Sequence, residues 1–138
     1  MNTIDHILVV CEDSRAGRRA LQSAASVADE HRARISVVSM INPERRTIGC
    51  CMRSDQWNRI LDEVAHEELD SARGILGERD PAPRFEIVPA IGSRALRRVA
   101  DRLGCDLVLV PVRGFFAGWS MRRLRRGMRA DVLGVRSA

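Results

Sequence analysis

Lysine is missing from this chain: all 23 basic side chains among its 138 residues are arginine. The bias holds on every segment, which points to GC-rich coding rather than to a particular chemistry. Long apolar runs are missing too. No stretch approaches the roughly 20 apolar residues that span a bilayer, so no membrane span is expected. The amino terminus carries Asp5 and a short strand-like run instead of a basic region, an extended apolar core and a cleavage site, and the expected location is cytoplasmic. Cysteine is confined to Cys11, Cys50, Cys51 and Cys105. Their spacing matches no zinc pattern, no histidine pair completes one, and no disulfide framework is expected. Cys11 and Cys105 fall on apolar runs, where cysteine acts as a small hydrophobe. The adjacent Cys50 and Cys51 lie in a polar loop, as a redox or metal-binding pair or with no role.

Catalytic signatures are equally scarce. No G-x-S-x-G elbow, H-E-x-x-H helix or G-x-x-x-x-G-K-[S/T] loop occurs. Glu12, Asp13 and Ser14 end a strand-like run and read as turn and capping residues. His6 stands at the head of the first strand, and His31 and His66 fall on helical stretches with a solvent-exposed reading. No enzyme is expected.

What the chain does contain is alternation of strand and helix. Strands are read at 6–11, 33–41, 84–91, 106–112 and 131–136. Helices are read at 15–30, from Asp55 to near Gly77, at 94–103 and at 120–127. The first helix has a small-residue face of Ala16, Ala20, Leu21, Ala24, Ala25, Val27 and Ala28, suited to close packing on a sheet. The second repeats Trp57, Ile60, Leu61, Val64, Leu69, Ala72, Ile75 and Leu76 at helical spacing. Ser93 is the expected cap of the third, with Leu96, Val99, Ala100 and Leu103 inward. The polar loop from Asn42 to Ser54 is expected to be mobile. Apolar runs such as Leu107 to Val110, rich in β-branched residues and without alternation, mark strands buried on both faces. One domain over residues 1–138 follows, of α/β class, with a five-stranded, mostly parallel, doubly wound sheet and helices on both faces. In such sheets ligands bind beyond the carboxyl ends of the strands, which directs attention to Pro111 and the residues after it.

Charge is uneven. Between Arg113 and Arg136 the only acid is Asp131, whereas the stretch from 55 to 70 is acidic. The asymmetry suggests an anionic partner or a self-association face. Phe115, Phe116 and Trp119 precede a basic helix. They read as filling over the sheet edge with the arginines as a solvated face; stacking on nucleic acid or contact with a membrane surface is the alternative. No sequence-specific nucleic-acid partner is expected.

Several segments together resemble the universal stress protein family. Ile7 to Leu21 resembles its opening strand, turn and helix, and Ala33 to Glu44 its second strand with a proline-containing exit. Ala90 to Gly114 is similar to its third helix, fourth strand and the start of its phosphate turn, and Ala130 to Arg136 to its closing strand. Nucleotide-binding members carry G-x2-G-x9-G-[S/T] after the fourth strand, whose glycines let backbone N–H groups approach phosphates. Here Pro111 stands at the first glycine and offers no N–H. Gly114 matches the second, and Leu124 with Arg125 stands at the last pair, unless a shortened loop puts Gly118 and Trp119 there. Glu12 and Asp13 occupy the family's Asp-Gly and would repel a triphosphate.

The resemblance implies a regulatory, stress-response module without the standard ATP motif. It also implies a homodimer through the closing strand, where Gly134 replaces the family's valine, and an unidentified regulatory protein partner. No cofactor is expected. The alternative is a sensor of ATP, another nucleotide or a small anion with an arginine-based site, in which Arg113, Arg122 and Arg123 neutralise phosphate. The candidate ligand residues are Glu12, Asp13, Ser14, Met40, Pro111, Arg113, Gly114, Gly118 and Trp119.

Overall fold

The computed structural model describes residues 3–41, 54–112 and 117–136. The elements run β1 (His6–Val10), α1 (Arg15–His31), β2 (Arg34–Met40), α2 (Ser54–Leu76), β3 (Arg84–Val88), α3 (Ser93–Leu103), β4 (Leu107–Pro111), α4 (Ala117–Arg125) and β5 (Asp131–Val135). The strands form one sheet in the order β3-β2-β1-β4-β5, and all four pairings are parallel. The expected architecture is therefore present.

β1 sits at the centre because both faces of its run are apolar. Ile7 and Val9 face one way and pack with Ile35, Val37, Leu107 and Leu109 against the alanine stripe of α1 and against Leu69, Ala72 and Leu76 of α2. Leu8 faces the other way with Val38, Val108 and Val132, against Leu96, Val99 and Ala100 of α3 and Met121 and Leu124 of α4. Ile7, Leu8 and Val9 are fully buried. Each transfers on the order of 1.5–3 kcal/mol of apolar free energy into the core. Alternation across a two-sided core makes the register unambiguous, since a one-residue slip would exchange the two faces.

The N-terminal end of the sheet is fastened by Asp106. Its carboxylate accepts from the backbone N–H of Asp5 at 2.8 Å and of His6 at 3.0 Å. His6 opens β1, where the strand read from the sequence also begins, and is buried. Its Nδ1 faces the Leu103 carbonyl at 3.1 Å and must carry the proton, so Nε2 accepts from the Ser36 hydroxyl at 2.6 Å.

Local differences have plain causes. In α2 the buried line is Ala65, Leu69, Ala72 and Leu76, and Ile60 and Val64 are exposed. They lie one residue, about 100° of helix rotation, off that line. α3 begins at Ser93 itself: Gly92 is its N-cap, at φ 98°, and no side chain caps it. That backbone geometry suits glycine alone. α4 starts three residues earlier than the arginine periodicity suggested. The loop expected to be mobile, including Cys50 and Cys51, lies outside the described residues except for Ser54, as do Arg113, Gly114, Phe115 and Phe116. No helix among the described residues is long and apolar enough to cross a membrane.

Gly17 carries a constraint the sequence did not display. A Cβ there would lie 1.9 Å from the Glu12 carbonyl oxygen, whereas one at Gly74 would meet nothing within 4 Å. Gly17→Ala is expected to destabilise the fold by about 1–3 kcal/mol through backbone displacement. Gly74→Ala, on an exposed helix position, should stabilise it by about 0.5–1 kcal/mol. Urea denaturation of the two variants checks both signs.

Candidate functional site

The carboxyl ends of β1, β2 and β4 point to the same edge of the sheet, and β1 and β4 diverge there because their crossovers lie on opposite faces. This is the switch point at which open α/β sheets bind ligands. The ladders extend one residue past the strands through Cys11 N–H to Val38 O, Ile41 N–H to Val88 O and Val112 N–H to Val135 O, so the rim is held by backbone bonds.

On the α3/α4 side of that rim lies a hollow of about 360 Å³. Its floor is Val10, Met40 and Val110. One wall is the start of α3, with Gly92, Ser93 and Leu96, and the other is α4, with Met121, Arg123 and Leu124. The surface is mostly apolar, and among the described residues Arg123 is the one charged side chain that lines it. Gly134 shapes the space from beneath: a Cβ there would lie 2.5 Å from a Val112 methyl and 3.3 Å from the Met121 methyl. The missing side chain thus admits Val112 and Met121 to the sheet.

On the α1/α2 side the rim is acidic and tightly bonded. Ser14 caps α1, accepting from the Gly17 N–H at 3.0 Å, and its hydroxyl donates to the Glu12 carboxylate at 3.2 Å. The turn residue Ser14 is therefore a cap, as the sequence indicated. Glu68 of α2 reaches the same rim, where its carboxylate accepts from the Ser39 hydroxyl at 3.2 Å and its carbonyl from the Cys11 thiol at 3.4 Å. Burial raises the Glu68 carboxyl above its ordinary range against the Ser39 bond, with Asp13 and Glu12 adding to the rise. Burial and the same three carboxylates push the Cys11 thiol up to about 12. Burial likewise holds Cys105 protonated, at about 11. Neither thiol has the low-pKa environment of a reactive cysteine.

The sequence-derived candidates therefore separate. Met40 lines the hollow. Pro111 ends β4 half-buried beside it without lining it. Glu12, Asp13 and Ser14 belong to the acidic turn. Gly118 and Trp119 have their backbone in the first turn of α4. Arg113 and Gly114 lie outside the described residues. Of the three arginines considered for phosphate, Arg123 lines the hollow and Arg122 is exposed. Val10, Val110, Leu96, Met121 and Leu124 were legible as core positions, and only topology makes them a floor and walls. Gly92 and Ser93 carry a signal, the Gly-Ser pair that opens α3, but in the sequence that pair marks a helix start and not a wall. No group of three or more potential metal ligands occurs among the described residues. A larger hollow, about 670 Å³, follows the outside of α2 past Asp62, Glu63, His66 and Glu67. Among the described residues it is walled by α2 alone.

His6 belongs to neither side of the rim, being at the opposite end of β1. Burial lowers its pKa, opposed by the Leu103 carbonyl, with Arg34 and Arg84 lowering it further and Asp106 raising it. The folded protein binds fewer protons at His6 than the unfolded chain does. The stabilisation is complete above the unfolded value near 6.5 and is lost as pH falls through the depressed folded value. The unfolding free energy of the protein should fall more steeply from pH 7 to pH 5 than that of His6→Asn, as measured by urea titration at each pH.

The model of the universal stress protein family matches residues 3–134. No curated protein matches the chain. Among solved structures, a universal stress family protein from Burkholderia pseudomallei aligns with a TM-score of 0.76 and 22% identity over 98% of each chain. A universal stress protein in complex with cAMP aligns at 0.70 and 20% identity, over 99% of this chain and all of that one. The universal stress protein from Archaeoglobus fulgidus in complex with dAMP aligns at 0.64 and 18% identity, over 97% of this chain and 99% of that one.

Proposed function

The chain belongs to the universal stress protein family, whose members are regulatory modules rather than enzymes, and we propose that this one reports on a small anionic ligand held in the hollow at the strand ends. The observation that carries this reading is the pairing of an apolar floor and walls with one charged side chain among the described residues, Arg123. The volume of about 360 Å³ lies within the roughly 300–1,000 Å³ of small-molecule sites. A planar base fits the Val10, Met40 and Val110 floor, and one phosphate suits a guanidinium fork. Two related structures hold cAMP and dAMP, each a nucleotide with one phosphate, and a nucleoside monophosphate is the ligand class we assign.

The same rim opposes a triphosphate. Glu12, Asp13 and Glu68 act together on the Cys11 thiol, and a polyphosphate laid across the end of β1 would meet their charge. Pro111, at the family's first glycine, supplies no N–H. The chain is therefore read as lacking the standard ATP site. We also read it as a homodimer through β5, an edge strand on which Leu133 is 47% exposed. An unpaired edge of this kind is satisfied by a second strand. Arg125 Nε donates to the Val132 carbonyl at 3.2 Å, and a partner strand replaces that contact. A change in the dimer is how occupancy would reach a regulatory protein.

Calorimetric titration with AMP, cAMP and ATP, with and without magnesium, tests the ligand. A monophosphate should bind in the micromolar range and ATP at least about tenfold more weakly. A charge-assisted hydrogen bond contributes about 1.5–3 kcal/mol, so Arg123→Ala should weaken binding by roughly 10–100-fold. Tightest binding by magnesium ATP, or no binding of any nucleotide at millimolar concentration, would overturn the reading.

A further inference from the structure

We propose that the outer face of α3 and α4 is a docking surface for the phosphate backbone of a nucleic acid, engaged without regard to sequence. Packing dictates the face. α3 buries Leu96, Val99 and Ala100, and α4 buries Met121 and Leu124. The residues between them turn outward: Arg94 and Arg98 on α3, Arg122 on α4, and Arg126 and Arg129 just beyond it, all exposed. The two helices form one continuous surface. Arg97 of α3 lies where a side chain at Gly127 would stand, 1.9 Å from the Cβ position, and its Nε donates to the Ser93 carbonyl at 3.4 Å.

Three further observations choose the partner. The five exposed arginines take part in no salt bridge found among the described residues, and Asp101 is the only acid on α3 or α4. The outside of α2, on the opposite face of the sheet, carries Asp62, Glu63, Glu67 and Asp70 beside one arginine, Arg59, so an extended polyanion is drawn to the α3/α4 surface and repelled from that of α2. Large apolar side chains exposed among the described residues are Ile60, Val64, Ile91 and Leu133, none of them among the described side chains of α3 and α4, 93–103 and 121–125. An anionic membrane that takes up an amphipathic helix needs such an apolar face; a phosphate backbone needs only the charges. Arg94 and Arg98, like Arg122 and Arg126, are four residues and therefore about 6 Å apart along their helices, so each pair can contact neighbouring phosphates. With arginine alone presented, the contacts position the backbone and read no base. Arg123 takes no part, so this surface stands or falls separately from the ligand site.

Fluorescence anisotropy with a labelled 20-base-pair duplex tests the proposal. Binding should fall in the range of about 10⁻⁴–10⁻⁶ M at physiological salt, be equal for unrelated sequences, and weaken with salt at a log–log slope of about −3.6 to −4.5 if four or five phosphates are neutralised. Arg98→Glu/Arg126→Glu should reduce affinity at least tenfold and flatten the slope. Arg15→Glu/Arg19→Glu, the same change of net charge on the exposed side of α1, should leave both unchanged. Equal losses in the two double variants would show a net-charge effect and overturn the proposal. So would absence of duplex binding at low salt, or retention by phosphatidylserine vesicles without retention by DNA.

Discussion

Everything in this molecule depends on β1 being hydrogen-bonded along both edges and buried on both faces. Such a strand can hold a polar side chain only where it is bonded, as His6 is at its start, and Ile7, Leu8 and Val9 are apolar and fully buried. Its parallel pairing with β2 on one side and β4 on the other requires crossovers on opposite faces of the sheet. The crevice where those crossovers part is the hollow above Val10, Met40 and Val110. The site is thus a consequence of topology, placed by the same residues that form the core.

The two faces of the rim differ because their helices do. α2 brings Glu68 to the end of β1, where it is held by Ser39 and Cys11, and the Glu12 turn adds its own carboxylates. α4 brings Arg123 and an apolar edge of Met121 and Leu124. A ligand at the switch point meets repulsion toward one face, and apolar contact with one cation toward the other. This polarity continues outward into an acidic α2 surface and a basic α3/α4 surface. The strand-end hollow and the two outer surfaces therefore carry the same charge separation.

Much of the fold was legible in the sequence because uninterrupted β-branched runs and the alanine stripe of α1 have one reasonable packing. Met40 was legible as a strand end, and Ser14 as a cap. The walls of the hollow were not, because Leu96, Met121 and Leu124 look like any core residue until α3 and α4 are seen side by side. Ile60 and Val64 kept helical spacing yet are exposed, since spacing alone does not say which of two adjacent stripes meets the sheet. Gly17 and Gly134 were silent as steric requirements for a related reason: what excludes a side chain there is the Glu12 carbonyl in one case and Val112 with Met121 in the other.

The central claim is that a monophosphate occupies the apolar side of the rim. Methyl-labelled methionine NMR reads this directly, because Met40 lies on the floor and Met121 on the wall. Addition of AMP should shift the Met40 and Met121 methyl resonances together, saturably, and leave Met128 unmoved. Shifts confined to other methionines, or none at saturating nucleotide, would contradict the account.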